Sequence, residues 1–362
     1  MNTKIVDAEE RVVVYDWLRL VATIFFFFWH SAYITMQTTY GGVNYELPQN
    51  LNEFYNSGFL TFCRFLPNWI YGFHMPLFFM LSGAVLGLKP IAAFDTVVSS
   101  KIKRLLIPYY IYGLFFMLPV KRLGNFYNNE SLKQAFNGFL SGQDSGHLWF
   151  LTALFWCILA FVLIKKGLLR FGIESLYAIL LISFIIQLTY NDLPFDFLGL
   201  KTGLSYLFYF SLGYTFECKR KEACPWNLKK LLSIFILLFA LEIFHVRYGL
   251  LDSFFAVIIG SFFTYVLSSI CSKLFRKTVK SKLWKIVIRN LFYVYLFHDP
   301  IEYIILRIFF NTNLLSTAIG CILYTFARTV LVFILSILLG EFINHCKIVY
   351  KKSRNLSVKP SI

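Results

Sequence analysis

The sequence has few charged residues for its length, and the charges that it has are unevenly signed. Charged side chains make up 15% of the 362 residues and hydrophobic ones 58%, with a mean hydropathy of +0.63. Soluble domains are rarely this apolar, so the composition favours a protein with several membrane-spanning segments. The formal net charge of +16 comes from short Lys and Arg clusters between apolar runs. A nucleic-acid-binding protein needs a solvated basic face instead, so no nucleic-acid partner is expected.

Several motifs that mark common protein classes are also missing. The seven cysteines form no CxxC pair, and several lie inside apolar runs, so neither a disulfide framework nor a zinc site is indicated. No Walker loop, GxGxxG, GxSxG or HExxH occurs, which argues against an ATPase, a hydrolase or a zinc enzyme. The first twelve residues lack the apolar core of a cleaved signal peptide. The first apolar helix is therefore expected to direct membrane insertion.

The long apolar runs predict an all-α, polytopic membrane helical bundle. A spanning helix needs about 20 apolar residues, and ten segments meet or approach that length: 17–36, 67–88, 105–120, 148–164, 175–190, 202–217, 231–248, 250–270, 290–310 and 315–340. With a cytoplasmic N-terminus, 26 of the 35 Lys and Arg residues fall on the cytoplasmic side and six on the outer side. This bias follows the positive-inside rule and places both termini in the cytoplasm.

These segments read as one integral membrane domain over residues 1–346, followed by a basic cytoplasmic tail over 347–362. The end of that tail, KKSRNLSVKPSI, is expected to be disordered and close to anionic headgroups. The two long outer segments, 37–66 and 121–147, are expected to cap a cavity that opens outwards.

The first apolar helix carries ionisable residues along one face. Arg19 and His30 are eleven residues apart, which leaves them about 20° apart around the helix and about 16 Å apart along it. Asp16 lies about 40° from the same stripe and is spaced to pair with Arg19. Ionisable residues inside a membrane are costly and often mark functional sites, so His30 is a candidate general base. The alternative is that Asp16 and Arg19 anchor the helix at the interface and His30 hydrogen-bonds within the bundle.

Three later helices also carry polar side chains where they meet the membrane surface or bend. These are His74 in the second helix, His147 with Trp149 at the mouth of the fourth, and His298 with Asp299 in the ninth. Pro300 follows the last pair, and a proline inside a helix frees a backbone carbonyl, which favours a polar cavity. The alternative interpretation is a set of interfacial aromatics and a polar pair that stabilises a kink.

Basic residues stand at the entrance of the third helix, in the stretch KIKRLLIPYY. Lys101 and Arg104 in this stretch are suited to bind the phosphates of a cytosolic donor. Basic residues in such places also serve simply as topology anchors.

Taken together, six stretches resemble the acyltransferase-3 family of integral membrane acyltransferases. They span about residues 11–305 in the order found in the family: DWLRLVATIFFFFWHSA, HMPLFFMLSG, KIKRLLIPYY, HLWFLTALF, YLFYFSLGYTF and LFYVYLFHDPI. The family includes O-acetyltransferases of polysaccharide and lipopolysaccharide, glucan succinyltransferases and relatives that act on other small acceptors.

The resemblance implies transfer of an acyl group, usually acetyl, from cytosolic acyl-CoA to a hydroxyl at the outer face of the membrane. Acyl-CoA is then a substrate, and no bound cofactor or metal is expected. The resemblance also implies that Arg19 and His30 are essential. The RxxR-like motif of the family falls on Lys101 and Arg104, where Lys in place of the first Arg loses the bidentate fork. His30 then acts as a general base or carries the acyl group covalently, and both roles fit the sequence.

The leading hypothesis is therefore O-acylation of an envelope polysaccharide or glycolipid in a bacterial cytoplasmic membrane. Asp16 and Arg19 would orient the donor path, while His74, His147 and Trp149 would line the acceptor side. Recognition of the acceptor is expected from the outer loops or from a partner protein in glycan assembly. The alternative is a transporter or flippase of a lipid-linked glycan, although no inverted repeat is evident. A sensor or scaffold would leave the ordered motifs unexplained.

Overall fold

The computed structural model describes residues 2–31, 36–38, 41–43, 58–124, 126–127, 131–220, 227–248, 253–309 and 317–357. The helices in chain order are α1 (Asn2–Ser31), α2 (Gly58–Gly87), α3 (94–123), α4 (Ser131–Ser141), α5 (Trp149–Arg170), α6 (Leu176–Thr189), α7 (Leu200–Ser205), α8 (Leu207–Arg220), α9 (Leu228–Tyr248), α10 (Ser253–Leu274), α11 (Lys282–Phe309) and α12 (Ala318–Ser357). A short hairpin pairs β1 (Met36–Thr38) antiparallel with β2 (Gly41–Val43). The all-α prediction is therefore confirmed, with this hairpin as the addition among the described residues.

Four helical stretches in the described ranges are long and apolar enough to cross a bilayer. They are Trp69–Gly87, Leu132–Arg170, Phe254–Leu274 and Ile322–Tyr350, and a shorter apolar helix covers Leu176–Asp192. With the apolar composition, these stretches make the chain a multi-pass membrane protein. The number of ten spans and the side on which the termini lie remain predictions.

Helices extend further towards both ends of the chain than the sequence predicts. α1 begins at Asn2 rather than at residue 17, and α12 continues to Ser357. The prediction of a disordered tail is therefore wrong up to Ser357. Residues 341–357 contain neither glycine nor proline, the two residue types that most disfavour a helix, so nothing in that sequence ends it.

α3 is a continuous helical run that contains two π-helical turns. The turns cover Ile102–Leu106 and Gly113–Met117, and each is followed within two residues by a proline, Pro108 or Pro119. A proline has no backbone N–H and clashes with the carbonyl four residues earlier, so the wider π turn relieves both problems. The extra residue in each turn also changes which side chains of α3 face the bundle. Lys121 follows the second turn and is buried.

α2 and α8 cross at a contact that requires glycine on both helices. A Cβ atom on Gly83 would lie 1.9 Å from the carbonyl oxygen of Phe210, and one on Gly213 would lie 1.8 Å from that of Met80. Any larger side chain would push the two helices apart. Small residues at such crossings are typical of membrane helices, whose association depends on close packing.

Candidate active site

Asp299 in α11 lies at the centre of a buried cluster of basic side chains. Its Oδ2 atom is 2.7 Å from Nζ of Lys121 and 3.2 Å from Nδ1 of His147, and its Oδ1 atom is 3.8 Å from Nδ1 of His30. The Asp299 side chain is only 7% exposed. A buried carboxylate is costly unless it is paired, and the Lys121 ammonium provides the compensating charge.

Pro300 explains why His147 reaches this cluster. Proline has no N–H, so the carbonyl of Leu296 four residues earlier has no helical partner from that position. Nε2 of His147 lies 3.0 Å from this carbonyl oxygen and replaces the missing backbone donor. The Tyr295 hydroxyl donates to the His147 carbonyl at 2.7 Å, which fixes the turn before α5 against α11. The sequence predicts a freed carbonyl at this proline, and its partner, His147, comes from another helix turn.

His298 presents a nitrogen without a hydrogen-bond partner among the described residues. Its Nδ1 atom lies 2.7 Å from the Tyr295 carbonyl oxygen, which can only accept, so the proton of the neutral ring is on Nδ1. Nε2 then carries a lone pair, and this buried atom accepts no hydrogen bond within the described ranges. The ring centroids of His298 and His30 are 5.0 Å apart. The cluster therefore contains a second imidazole that is able to accept a proton.

Phe26 in α1 connects the remaining histidine to the cluster. Its ring centroid lies 4.3 Å from that of His30, 4.7 Å from that of His298 and 5.4 Å from that of His74. His74 is buried, and its Nδ1 atom lies 3.0 Å from the Tyr71 carbonyl oxygen. The four histidines that the sequence analysis singles out thus converge around Asp299 and Phe26.

A second buried charge network lies next to the cluster and joins α1, α11 and α12. Glu302 forms an ion pair with Arg328 and accepts a hydrogen bond from the Ser31 hydroxyl at 2.7 Å. Arg328 also donates to the backbone carbonyls of Ser31 and Glu302, at 3.3 and 3.2 Å. Ser31 follows His30 directly, and Glu302 lies one helical turn after Asp299, so this network fixes the two helices that carry the site.

A cavity of about 780 Å³ lies next to the cluster, between α1, α2, α3, α5 and α11. Phe26, Phe27 and Tyr295 line its inner end. Its walls are mostly apolar along α2 and α5. Its other end is basic and is lined by Arg19, Lys89, Lys101, Arg104 and Arg289.

Three cations at this basic end, Lys89, Lys101 and Arg104, make no ion pair with the described residues. Arg289, in contrast, forms a bidentate pair with Glu341. Partial burial lowers the pKa of the Lys101 ammonium, and the nearby Arg104 charge lowers it further. An anion bound between the two would relieve this repulsion, so their placement suits a phosphate group.

The stripe predicted on α1 is present, although its members face different surroundings. Arg19, Thr23 and Phe26 line the cavity, and His30 lies beyond them in the cluster. Asp16 pairs with Arg19 at 3.4 Å and does not line the cavity. Of the predicted acceptor-side residues, Trp149 lines a separate polar cavity rather than the cluster.

Three further charged residues of this region, Lys121, Glu302 and Arg328, are not predicted from the sequence as site residues. In the sequence, Lys121 is one of the six basic residues on the outer side. The π turns that rotate it inwards cannot be recognised from the spacing of apolar residues. Arg328 stands inside a predicted membrane helix, and that position is itself a signal of function or burial. Its partner Glu302 lies three residues after Asp299, on the same helical face.

The cluster also has the dimensions of a metal site. The ligand atoms of His30, His298 and Asp299 lie within 4.8 Å of one another, and two imidazoles with one carboxylate form a set that zinc accepts. The Lys121 ammonium, however, already contacts Asp299 at 2.7 Å, and its charge repels a divalent cation there. The arrangement therefore fits proton transfer better than metal binding.

Comparison with models of known protein families gives a match over most of the chain. The model of the acyltransferase-3 family, described as an acyltransferase domain, matches residues 12–341 of the chain. Comparisons with curated proteins and with solved structures found no match. The matched range contains the whole histidine–aspartate cluster and both ends of the large cavity.

Proposed function

Because the chain belongs to the acyltransferase-3 family, we propose that it transfers an acyl group, most often acetyl, from acyl-CoA to a hydroxyl of an envelope polysaccharide or glycolipid. The observation that carries this proposal is the cavity of about 780 Å³, which has a basic end and reaches Phe26, the ring that packs against His30. A histidine cluster alone fits many reactions. A cluster at the end of an apolar cavity with a cationic opening fits a long donor that is phosphorylated at one end and reactive at the other.

In this proposal the phosphates of the donor bind at Lys89, Lys101 and Arg104. Charge-assisted hydrogen bonds from Lys and Arg to phosphate are among the stronger polar contacts in proteins. The pantetheine arm then lies along the apolar walls, and the thioester reaches Phe26. The cavity volume falls within the roughly 300–1,000 Å³ that is usual for ligand sites.

His30 acts as the general base, and Asp299 orients its ring. The Nδ1 atom of His30 faces Asp299, and Nε2 is the nitrogen that we assign to the acceptor hydroxyl. Nε2 removes the hydroxyl proton while the oxygen attacks the thioester carbonyl carbon, and the carbon–sulfur bond then breaks. The thiolate of CoA takes the proton from the imidazolium, so the ester and free CoA leave a neutral His30. The 3.8 Å separation from Asp299 is long for a hydrogen bond, as is common in sites without a substrate.

The charge of Asp299 is balanced by Lys121 in the resting site. When His30 becomes an imidazolium, the carboxylate gains a second cation close by, which stabilises the transition state for attack. Transient acylation of His30 itself is the alternative chemistry, and it predicts ping-pong kinetics in place of a ternary complex.

The proposed topology has ten spans, with both termini on the cytoplasmic side of a bacterial cytoplasmic membrane. Lys89, Lys101 and Arg104 belong to the segment 89–104, which the distribution of basic residues assigns to the cytoplasm. Acyl-CoA is cytosolic, so the basic end of the cavity faces the compartment that holds the donor. His74 and His147 then approach the cluster from the acceptor side.

Membranes that contain the chain, incubated with radiolabelled acetyl-CoA, test this function. Wild-type membranes should transfer label to the envelope glycan, and the His30→Ala variant at an equal protein level should not. His345→Ala, which removes an exposed histidine of α12 far along the chain from the cluster, is the matched control and should be fully active. Equal transfer by His30→Ala and wild type would refute the assignment. Loss of glycan export in a null strain with acylation intact would favour a flippase instead.

A further inference from the structure

A second cavity, of about 290 Å³, is lined mainly by polar residues, whereas the first is mainly apolar. It lies between the turn that precedes α5 and the loop that precedes α7. Its lining is Gly142, Gln143, Asp144, Ser145, Gly146, Trp149, Thr152, Asp196, Gly199 and Thr202. A ring the size of a single sugar fits this volume, which corresponds to roughly ten water molecules.

The carboxylates of this cavity each have one oxygen engaged and one available. Oδ1 of Asp196 accepts the backbone N–H of Lys201 at 3.0 Å, and Oδ1 of Asp144 faces the N–H of Gly146 at 3.4 Å. No described residue donates to the second oxygen of either carboxylate. Both side chains are therefore held in place by the backbone and still present an acceptor.

The same cavity presents donors that no other described residue uses. The Trp149 indole N–H, the Thr202 hydroxyl and the Gln143 amide form no hydrogen bond with the described part of the chain. Donors and acceptors thus stand together around one small space. A hydroxyl both donates and accepts, so a ligand with several hydroxyls satisfies such a lining most completely.

The lining charges exclude the other ligands of the proposed reaction. No Lys or Arg lines this cavity, and its two carboxylates repel phosphate and acidic sugars. The apolar wall is the ring of Trp149, which packs at a tilt of 32° beside Tyr206 with centroids 5.8 Å apart. An indole face suits the C–H face of a neutral sugar, whose hydroxyls then point towards the polar walls.

The two loops that form the cavity are shaped to meet at close range. Gly142 and Gly199 have φ values of +80° and +71°, which other residues rarely adopt. A Cβ atom on Gly142 would also lie 2.5 Å from the Cα of Leu198. The Leu198 N–H donates to the Ser141 carbonyl at 3.4 Å, so the walls are joined by the backbone as well.

The position of this cavity links it to the acceptor side of the site. Its two loops belong to 121–147 and 191–201, both assigned to the outer face by the distribution of basic residues. Ser145 and Gly146 in its wall directly precede His147, which contacts Asp299. α5 separates the two cavities, because Trp149 and Thr152 face the polar one while Leu151 and Leu154 face the large one.

We propose that the polar cavity binds a neutral, uncharged sugar unit of the acceptor and so positions the neighbouring hydroxyl for acylation. This inference rests on the proposed acyltransferase function, which it deepens by naming the acceptor class. Asp144, Asp196 and Trp149 are the residues that recognise the sugar.

Saturation-transfer NMR on the full chain in lipid nanodiscs tests this binding directly, without a sugar-headed detergent that would compete. The probes are the methyl glycosides of glucose, galactose and rhamnose, with methyl glucuronide as the charged comparison. The neutral probes should bind to the wild type, and the glucuronide at least tenfold more weakly. Asp144→Asn with Asp196→Asn should weaken neutral binding at least tenfold, because an amide keeps the oxygen that accepts the backbone N–H but loses the charge. Trp149→Ala should weaken it similarly.

Two control variants separate this proposal from the proposed function. Asp192→Asn removes an exposed carboxylate of the same loop that does not line the cavity, and it should bind like the wild type. His30→Ala should also bind the glycosides although it transfers no acyl group. Thermal midpoints equal to that of the wild type would show that the cavity variants are folded.

Three results would overturn the assignment. Unchanged glycoside binding in the Asp144→Asn, Asp196→Asn double variant would do so, as would calcium binding that this variant loses while no glycoside binds the wild type. A wild type that binds no glycoside, yet acylates the glycan through His30, would contradict sugar binding in the polar cavity and support the proposed acyl transfer. Glycoside binding without any acyl transfer would support sugar binding in the polar cavity and contradict the proposed acyl transfer.

Discussion

Asp299 and Glu302 lie one turn apart in α11, and both are buried carboxylates, yet their surroundings differ. Glu302 has a serine hydroxyl donor and one arginine partner, which also donates to the adjacent backbone. Asp299 has an ammonium at 2.7 Å and two imidazoles at 3.2 and 3.8 Å. The partners of Glu302 carry fixed charges or none, whereas two partners of Asp299 change charge with a single proton.

This difference separates a structural ion pair from the proposed reaction centre. A buried ion pair that also holds backbone and serine groups fixes the geometry of three helices. A carboxylate among histidines changes its interactions whenever one imidazole gains or loses a proton. The following predictions test whether the two carboxylates act in these different ways.

Asp299→Asn should reduce transfer far more than any change at Glu302, because His30 then loses the group that orients its ring. Acyl transfer should fall by roughly a hundred- to ten-thousand-fold, the range for general-base catalysis. The measurement is label transfer from acetyl-CoA at equal protein level. The variant also leaves Lys121 buried without its carboxylate, so a double variant with Lys121→Met is needed as a control. That double variant should regain stability and remain inactive, and recovery of activity with stability would contradict a direct role.

Glu302→Gln should act on stability rather than on the reaction. Breaking a buried ion pair by changing one partner costs about 3–5 kcal/mol, because the other charge is left uncompensated. Denaturant unfolding of the solubilised protein measures this loss, and activity per folded molecule should change only a few-fold. Glu302→Gln combined with Arg328→Met should recover most of the stability. A stable Glu302→Gln protein as inactive as Asp299→Asn would place Glu302 in the reaction.

Lys101→Met combined with Arg104→Met should weaken donor binding and leave the chemical step intact. Hydrogen bonds to charged groups contribute about 1.5–3 kcal/mol each, so KM for acetyl-CoA should rise at least tenfold while kcat changes little. Steady-state kinetics at saturating acceptor separates the two constants. Lys103→Met is the matched control, since Lys103 is exposed and does not line the cavity. A fall in kcat with an unchanged KM would mean that the donor phosphates do not bind at this end of the cavity.

Asp16→Asn should have the smallest effect. Its pair with Arg19 is long, at 3.4 Å, and the Arg19 side chain is 41% exposed. Exposed pairs contribute about 0.2–1 kcal/mol, which corresponds to at most about a fivefold change in KM for the donor. Arg19→Ala, which removes a side chain that lines the cavity, should have a much larger effect in the same assay. Equal losses in both variants would mean that Asp16 itself contacts the donor or the reacting atoms.

Most residues of the site could be predicted from the sequence, but the central position of Asp299 among them could not. Helical periodicity placed Arg19 and His30 on one face, and Pro300 indicated a freed carbonyl beside a polar pair. Which helix would supply the partner of that carbonyl depends on tertiary packing, and here it is His147. The burial of Lys121 could not be predicted, because it depends on two π turns whose extra residues interrupt the regular α-helical period.

The polar cavity shows the same limit in another form. Trp149 stood out as an aromatic at a helix mouth, whereas Asp144 and Asp196 lie 52 residues apart in ordinary loop sequence. Their meeting depends on the left-handed conformation of Gly142 and Gly199. Residues joined only by loop docking leave no spacing pattern for a sequence to reveal.

Mass spectrometry of the envelope polysaccharide tests the central claim most directly. Cells that lack the chain would be complemented with wild type, His30→Ala or His345→Ala at equal membrane levels. Acyl transfer at the histidine–aspartate cluster predicts that His30→Ala leaves the repeat unit lighter by one acyl group, while wild type and His345→Ala restore its mass. A repeat unit of full mass in cells that carry only His30→Ala would contradict the claim.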